Sequence, residues 1–455
     1  MLPVDGPSID RVEVTPLALA SQPALPSGQV QVRVQLRNAP AAATAVVIDL
    51  AWDDGLPARS SHAVRPDGSL LLAAVGVPNA TLWQPVDHPV TLPRLALHRL
   101  TVGLVATAVA AAAADADADA DADAVAAPGA DRSTPMAAAH ADAITVRFGL
   151  RIVKAGGRAI LLNGRPIKLR GVNRHDLHPA FGPSLPMSVY VSDLDLLQFA
   201  LRGNFIRGSH YPQDARLLDL CDERGILIWD EALAWGNYVP TLTDPTFLAA
   251  ELGTAHAMVS DSFNHPSVVL WGFFNEGQSD KPQACPSYAA MAHAFRSRDS
   301  SRLVTWASNR RSGDVCLQHA DVISFNAYPG WYGGNVSTVN RSWESDADWV
   351  AQHWPMKPFL ISETGAGAIA GNHSASLARW SEEYQRLVDG YDVATAMRSD
   401  RIAGISLWQF ADVKVDEPRN STRRPGGINN KGVFSRWRKP KLAAEVVGAI
   451  YGSEE

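Results

Sequence analysis

The sequence predicts an α/β protein in which a β-sandwich precedes a (β/α)8 barrel, also called a TIM barrel. From about residue 158 to residue 455, short apolar runs alternate with amphipathic helical patterns, as in barrels of parallel strands. Over residues 9–150, strand-like runs follow one another without helical periodicity, as in sandwiches. Nearly every apolar run of the second region ends in a polar or aromatic residue, which fits a binding face built from strand ends.

The composition is that of an ordinary folded protein and argues against several functional classes. The 455 residues are 46% hydrophobic and 19% charged, which is enough for a large core. The net charge of −6 and the lack of a basic stripe argue against nucleic acid as a partner. No apolar run is long enough to span a membrane, and the N-terminus does not have the pattern of a signal peptide. We therefore expect no nucleic-acid or membrane partner, and the compartment stays open.

The cysteines are few and irregularly spaced. Cys221, Cys285 and Cys316 predict neither a disulfide framework nor a zinc site. Cys221 lies within a helical pattern, so we expect it to be a core thiol.

The first predicted domain, residues 9–150, is a small all-β unit. Its strand-like runs alternate polar and apolar residues or are apolar throughout, and Pro, Gly and Asn separate them. The predicted strands are Val12–Thr15, Gln29–Leu36, Ala45–Leu50, Leu100–Val105 and Ile144–Leu150.

An insertion rich in alanine and aspartate interrupts this domain at about residues 106–142. Its centre alternates Ala with five aspartates, from Asp115 to Asp123. Alanine buries little apolar area and the aspartates repel one another, so the composition predicts a disordered acidic loop. A metal-binding acidic tract is the alternative interpretation.

The second predicted domain, residues 158–455, contains eight apolar runs with helical patterns between them. Examples of those helical patterns are Asp193–Ala200, Ala215–Cys221, Trp380–Val388 and Lys441–Val447. The predicted barrel strands are Ile167–His175, Phe205–His210, Ile226–Glu231, Val268–Glu276, Leu303–Ser308, Val322–Tyr328, Phe359–Glu363 and Gly404–Phe410.

Two of these strands end on a glutamate, Glu276 and Glu363. In a barrel of parallel strands both carboxyl groups lie at the same catalytic face. Retaining glycoside hydrolysis needs two such groups, one to protonate the leaving oxygen and one to attack the anomeric carbon. Taken alone, a glutamate at a strand end is often only an ion-pair partner, but the pair together predicts a glycosidase.

Eight segments, in order along the barrel, resemble glycoside hydrolase family 2, the β-galactosidase and β-glucuronidase family. They are Leu162–Pro179, Ser209–Pro212, Cys221–Glu231, His265–Trp271, Asn275–Glu276, Ser362–Ala366, Leu407–Asp412 and Asn429–Phe434. Residues 9–150 resemble, more weakly, the immunoglobulin-like middle domain of that family.

The resemblance implies roles for four residues of the predicted catalytic face. Glu276 would be the general acid/base and Glu363 the nucleophile, so the first must keep its proton until it donates and the second must be ionised. Asn275 would contact the sugar 2-hydroxyl, and Tyr328 would donate a hydrogen bond to the nucleophile.

Three further residues would shape the sugar subsite. The resemblance implies that His210 and Asp176 line it and that Trp408 forms a platform beneath the sugar. Each has a purely structural alternative, since buried histidines, aspartates and aromatic residues usually serve the core.

The identity of the sugar depends on Asn429 and Lys431, which form the Asn-x-Lys pattern that grips a sugar carboxylate in β-glucuronidases. An ammonium and an amide donor suit a carboxylate. We expect both side chains in the barrel mouth near Tyr332, and the alternative is that Lys431 pairs with Asp412.

Two observations keep other functions open. The segment Val172–Pro179 looks like the β-galactosidase version of its motif, although the metal-binding Glu and His of large bacterial β-galactosidases are missing from Asp230–Gly236. The jelly-roll domain with which the family normally begins is also missing, which predicts a truncated or reduced protein. The alternatives are therefore a β-galactosidase and a catalytically weakened carbohydrate-binding remnant. We expect a carbohydrate partner, no cofactor or metal, and a possible homo-oligomer.

Overall fold

The computed structural model describes residues 7–40, 45–52, 58–85, 97–105, 140–416 and 422–454. The chain divides into two units. The described residues of the smaller unit come from within 1–15, 30–78 and 98–147, and those of the larger unit from within 16–29, 79–97 and 148–455. The alanine and aspartate insertion lies outside the described residues up to position 139, so its disorder stays a prediction.

The N-terminal region forms two β-sheets. Its strands are β1 (Ser8–Ala18), β2 (Pro26–Arg37), β3 (Ala45–Trp52), β4 (Ala58–Ala63), β5 (Ser69–Gly76), β6 (Leu97–Val105) and β7 (His140–Gly149). One sheet has the order β1-β2-β5 and the other β4-β3-β6-β7. Along β2, Val30, Val32 and Val34 are fully buried and alternate with polar residues, as expected for a strand with one face in a core. These sheets agree with the all-β prediction.

Three short antiparallel strands then lead into the barrel. They are β8 (Val153–Gly156), β9 (Ala159–Leu162) and β10 (Arg165–Ile167). The turn between β9 and β10 is Asn163-Gly164, and both residues have positive φ, as a tight hairpin turn requires. Ile160 and Leu162 pack against residues that begin the barrel strands, such as Leu169. This sheet therefore covers the amino end of the barrel and leaves the carboxyl end for chemistry.

The barrel strands follow the predicted pattern and pair in parallel. They are β11 (Leu169–Arg174), β12 (Phe205–Gly208), β13 (Leu227–Glu231), β14 (Val268–Gly272), β15 (Leu303–Thr305), β16 (Ala307–Ser308), β17 (Ile323–Asn326), β18 (Phe359–Thr364) and β19 (Gly404–Leu407). The predicted fifth strand is broken at Trp306, so β15 pairs with β14 and β16 pairs with β17. Because β19 pairs with both β18 and β11, the sheet wraps around as a nearly closed barrel. The barrel prediction is confirmed.

The helices are α1 (Met187–Asp195), α2 (Ala215–Arg224), α3 (Val239–Leu242), α4 (Pro245–Ser262), α5 (Cys285–Arg298), α6 (Val339–His353), α7 (Glu382–Arg398) and α8 (Leu442–Tyr451). Capping residues in the sequence mark several of the helix ends. Asp244 caps α4 by accepting bonds from two backbone N–H groups, and Ser381 caps α7. Gly225 ends α2 in the left-handed conformation. Within the described residues, no helix is long and apolar enough to cross a membrane.

After the last barrel strand, a small hairpin carries part of the predicted sugar site. It consists of β20 (Val413–Lys414) and β21 (Ile428–Asn429), which pair antiparallel. The hairpin fixes the backbone just before Lys431.

The expectation of no disulfide was wrong, because Cys285 and Cys316 form one. Cys285 begins α5, and Cys316 precedes a short helical turn that packs beside it. The two are 31 residues apart, so their pairing depends on tertiary proximity rather than on spacing. Cys221 is a buried free thiol, as predicted.

Candidate active site

The carboxyl ends of the barrel strands surround a cavity of about 420 Å³. All the predicted site residues line it except Asp176. The lining residues are His175, His210, Tyr211, Trp235, Asn275, Glu276, Tyr328, Tyr332, Glu363, Trp408, Val413, Val415, Arg424, Asn429 and Lys431.

Glu363 lies near the end of β18, and each of its carboxyl oxygens accepts a hydrogen bond. Arg207 Nη1 donates to Oε1 at 2.6 Å, and the Tyr328 hydroxyl donates to Oε2 at 2.8 Å. Burial raises the pKa of Tyr328 well above its usual value, and the nearby carboxylates Glu363 and Glu276 add to this effect. Tyr328 therefore keeps its proton and remains a donor, and Glu363 is held as a fixed acceptor.

Arg207 donates hydrogen bonds to several side chains of the site, although it was not among the predicted site residues. It is fully buried on β12 and binds both oxygens of Glu231, with N···O distances of 2.9 Å. Burial alone would lower the pKa of Arg207, but Glu231 and Glu363 outweigh it and the pKa is raised. The sequence signal was an arginine inside the apolar run Phe205–Gly208, where a charge is costly unless paired.

Glu276 lies on a strained segment beyond β14. Its φ is +54°, a left-handed value that is rare for a residue with a side chain. Its backbone N–H donates to the Ala307 carbonyl at 2.8 Å, which ties the segment to the fifth strand. Its carboxyl group accepts bonds from the amides of Asn326 at 3.0 Å and Asn309 at 3.2 Å.

The surroundings of Glu276 favour its protonated form. Burial raises its pKa, and the neighbouring carboxylate of Glu363 raises it further. Neutral amides contact Glu276, whereas a guanidinium contacts Glu363. This difference in environment is what an acid beside a nucleophile requires.

Asn275 is oriented by two donors. Its Oδ1 accepts from Arg207 Nη2 and from Asn326 Nδ2, both at 3.0 Å. The amide NH2 group is consequently the end of the side chain that a ligand in the cavity can reach.

An aromatic wall closes one side of the cavity. His210 stacks on Trp408 with ring centroids 5.3 Å apart and an interplanar angle of 11°. His210 Nδ1 lies 2.9 Å from Glu231, which fixes the ring. Trp235, which is 63% exposed, lies over the other face of His210 at 6.2 Å. Trp408, His210 and Trp235 thus line this side of the cavity with aromatic rings, against which a sugar could pack.

His175, rather than Asp176, takes the predicted position in the cavity lining. Asp176 pairs with Arg174 and accepts a bond from the Tyr190 hydroxyl at 3.4 Å. Both residues follow the end of β11 at Arg174, and there His175 lines the cavity while Asp176 faces this buried network. Burial lowers the pKa of His175 to about 3, with help from the charge of His210 and nearby arginines, so the ring is neutral.

Cationic groups line another part of the cavity, called here the cationic end. Lys431 is 2% exposed, and its Nζ donates to the Tyr332 hydroxyl at 3.0 Å. It also lies over the rings of Tyr332 and Trp331, at 4.4 and 4.7 Å from the centroids. Arg424 Nη1 approaches the same hydroxyl at 3.3 Å. Arg424 was not among the predicted site residues, because its local signal is only a basic pair before a Pro-Gly-Gly turn.

Lys431 has no carboxylate within ion-pairing distance among the residues that the structure describes. The alternative pairing with Asp412 was wrong, because Asp412 binds Lys441 Nζ at 2.8 Å. Burial, followed by the charge of Arg424, lowers the pKa of Lys431 well below its usual value. Nearby, the Oδ1 atom of Asn429 is buried without a hydrogen-bond partner in the described structure. Both features point to a ligand that completes the site.

The family described as "Glycosyl hydrolases family 2, TIM barrel domain" matches residues 153–453. The chain belongs to glycosyl hydrolase family 2. The match covers every barrel strand, and it excludes the N-terminal sheets.

Several proteins similar to this chain are named β-glucuronidase or β-galacturonidase. A β-glucuronidase of Canis lupus familiaris is 32% identical over 385 residues, covering 82% of this chain and 53% of that protein. A β-glucuronidase of Paenibacillus borealis is 34% identical over 332 residues, covering 69% and 53%. A family 2 β-galacturonidase of Eisenbergiella tayi, solved with bound galacturonate, has a TM-score of 0.82 at 30% identity, covering 98% and 72%. The chain spans about half the length of the curated relatives it matches.

Proposed function

We propose that this chain hydrolyses terminal β-linked uronic acids with retention of configuration. The observation that carries the proposal is the cationic end of the cavity. Lys431 is buried there with no carboxylate of the described residues within ion-pairing distance, beside Arg424 and in the same cavity as Glu276 and Glu363. A buried ammonium without a counter-charge is costly, and a sugar carboxylate would supply one.

The catalytic pair supports a double displacement. Glu363, held by Arg207 and Tyr328, would attack the anomeric carbon and form a glycosyl ester. Glu276 would protonate the leaving oxygen in that step. In the second step the Glu276 carboxylate would take a proton from a water molecule while the water oxygen bonds to the anomeric carbon. The ester bond to Glu363 then breaks, which releases the sugar, the Glu363 carboxylate and a protonated Glu276.

The relatives support an acidic sugar without fixing which one. Two are named β-glucuronidases, and the structural neighbour is a β-galacturonidase bound to galacturonate. Both sugars carry the same carboxylate and differ only in the configuration of one hydroxyl group. We therefore propose a β-uronide as the substrate class, leaning toward β-glucuronide, and we propose no nucleic-acid or membrane partner. The possible homo-oligomer stays a prediction that light scattering would test.

A panel of nitrophenyl glycosides tests the proposal. We expect turnover of the β-glucuronide or the β-galacturonide to exceed that of the β-galactoside and β-glucoside by at least about a hundredfold in kcat/KM, as removing a charge-assisted contact predicts. The Glu363→Gln variant, in which a neutral amide cannot form the ester, is the control for contaminating activity. A preference for the galactoside would instead support a β-galactosidase, and the absence of all turnover would support a carbohydrate-binding remnant.

A further inference from the structure

A second groove, of about 550 Å³, adjoins the catalytic cavity. Tyr328 and Tyr332 line both spaces, so the two share a wall. We call it the arginine groove and define it by Arg311, Tyr332, Gly333, Arg341, Ser342 and Ser345.

The arginine groove is linked to the acid/base glutamate through the loop after β16. Asn309, which follows β16, donates to the carboxyl group of Glu276 at 3.2 Å. Arg311, two residues further along the same loop, lines the groove. The oxygen that Glu276 protonates belongs to the leaving group, so a leaving group larger than one ring would extend past Asn309 toward Arg311.

One face of α6 lines the groove, and that face is polar. Arg341, Ser342 and Ser345 lie three, four and seven positions after Thr338, the residue at which α6 is capped, so the four share one side of the helix. Gly333 adds open space, because a Cβ atom there would meet nothing within 4 Å. Hydroxyl and guanidinium groups around an open space suit a sugar better than an apolar ring.

The charge of the groove is positive. Arg311 pairs with Asp346 at 2.5 Å and donates to the Ser342 hydroxyl at 3.3 Å. Arg341 is exposed and has no hydrogen-bond or ion-pair partner among the described residues. The groove therefore has two guanidinium groups beside one carboxylate, so guanidinium N–H donors remain available to bind an anion.

We propose that the arginine groove is a leaving-group subsite for an anionic sugar, one that carries a carboxylate or a sulfate. This inference rests on the proposed function and specifies the leaving group of the proposed substrate. The preferred substrate would then be an acidic oligosaccharide with a terminal β-uronide, and small aryl leaving groups would use only the catalytic cavity.

Four β-uronides with the same terminal sugar test the subsite. Their leaving groups are nitrophenol, a neutral sugar, a carboxylated sugar and a sulfated sugar, and kcat/KM is measured for each. We expect both anionic sugars to exceed the neutral sugar. Arg341→Ala should lower the ratio of anionic to neutral by about fivefold, which is the effect of losing an ion pair of about 1 kcal/mol. Arg341→Lys should keep most of the preference, and added salt should weaken it in the unmodified protein.

Arg398→Ala is the matched control, because Arg398 is an exposed arginine on α7 that lines a different groove. Its anionic-to-neutral ratio should stay unchanged. Equal kcat/KM for neutral and anionic leaving sugars, or an unchanged ratio in Arg341→Ala, would overturn the subsite while nitrophenyl uronide turnover upheld the proposed function. A preference for only one of the two anions would narrow the subsite to that sugar. Failure to cleave nitrophenyl uronide would overturn both proposals.

Discussion

At the scale of single residues, two glutamates with the same chemistry are placed in different surroundings. Glu363 accepts from a buried guanidinium and a phenol, which stabilise a negative charge. Among the described residues Glu276 accepts from amide groups alone, and burial beside the carboxylate of Glu363 raises its pKa. We attribute the proposed division of roles to these neighbours.

The first prediction concerns Glu276→Gln. Leaving groups that need protonation should suffer most, so kcat/KM for an alkyl β-uronide should fall by about 10³-fold or more. Hydrolysis of a dinitrophenyl β-uronide should fall far less, because its leaving group departs without a proton. Steady-state kinetics on both substrates measure the difference, with Glu445→Gln, an exposed glutamate on α8, as the control.

The pH profile gives this prediction a second measurement. A raised pKa keeps the proton on Glu276 to a higher pH than on an ordinary glutamate, whose pKa is about 4.3. Activity on the alkyl uronide should therefore persist above that pH and fall as pH rises through the pKa of Glu276. Two results would contradict the acid/base role of Glu276. One is an equal loss of kcat/KM on both substrates, and the other is an unchanged fall of activity at high pH in Glu276→Gln.

The second prediction concerns Lys431→Met. It should lower kcat/KM for the β-uronide by about 10²-fold or more and affect the β-galactoside little, because only the uronide carries the carboxylate. The melting temperature should stay equal or rise, since the variant removes a buried ammonium that has no carboxylate partner in the described part of the chain.

Lys441→Met is the contrasting control for Lys431. Lys441 is also buried but pairs with Asp412 at 2.8 Å, so its loss should destabilise the fold by about 3–5 kcal/mol. Thermal unfolding and the two-substrate assay would be measured side by side. A large stability loss in Lys431→Met with equal activity losses on both sugars would indicate a structural lysine.

At the scale of elements, helix α7 links the nucleophile to the cationic end of the cavity. Gln385 is fully buried on α7, and its amide donates to the carbonyls of Ala366, Lys431 and Gly432 at 3.0, 3.3 and 3.0 Å. Ala366 follows Glu363 by three residues, so one side chain braces both loops.

The third prediction is that Gln385→Leu acts on sugar recognition. Leaving three buried carbonyls without these hydrogen bonds should lower the free energy of unfolding by about 1–3 kcal/mol. It should also let the Lys431 backbone move. KM for the β-uronide should rise severalfold, with a smaller change for the β-galactoside. Arg386→Leu, an exposed neighbour on α7, should change neither. A purely structural role would lower stability with no difference between the sugars.

The strands were predictable from the sequence because their signals are local. All eight apolar runs became barrel strands, and the ends of the runs placed Asn275, Glu276 and Glu363 at the cavity. Arg207 and Arg424 escaped prediction because their partners come from distant parts of the chain. The choice between His175 and Asp176 depended on which side chain faces inward after the strand ends.

At the scale of the whole molecule, the fourth prediction concerns the alanine and aspartate insertion. It connects β6 and β7, which are neighbours in one sheet. Deleting Ala110–Pro135 should leave the melting temperature unchanged or slightly higher, since a shorter loop lowers the closure cost by about 1 kcal/mol. Differential scanning calorimetry measures this, and a fall of more than about 5 °C would mean that the segment packs on the fold.

Whole-molecule properties were the least predictable from sequence. The pairing of Cys285 with Cys316 requires the start of α5 to meet a later loop, and nothing in the spacing of three cysteines signals that meeting. The broken fifth strand likewise follows from closing the barrel, because each half pairs with a different neighbour.

The central claim is that Glu363 forms a covalent bond to a uronic acid. A 2-deoxy-2-fluoro-β-glucuronosyl fluoride should trap that intermediate, because the fluorine slows the second step more than it slows the activated first step. After proteolysis, mass spectrometry should find the uronosyl ester on the peptide that contains Glu363, and none in Glu363→Gln. An ester on another residue, or hydrolysis of β-uronides with inversion and no ester at all, would contradict the account.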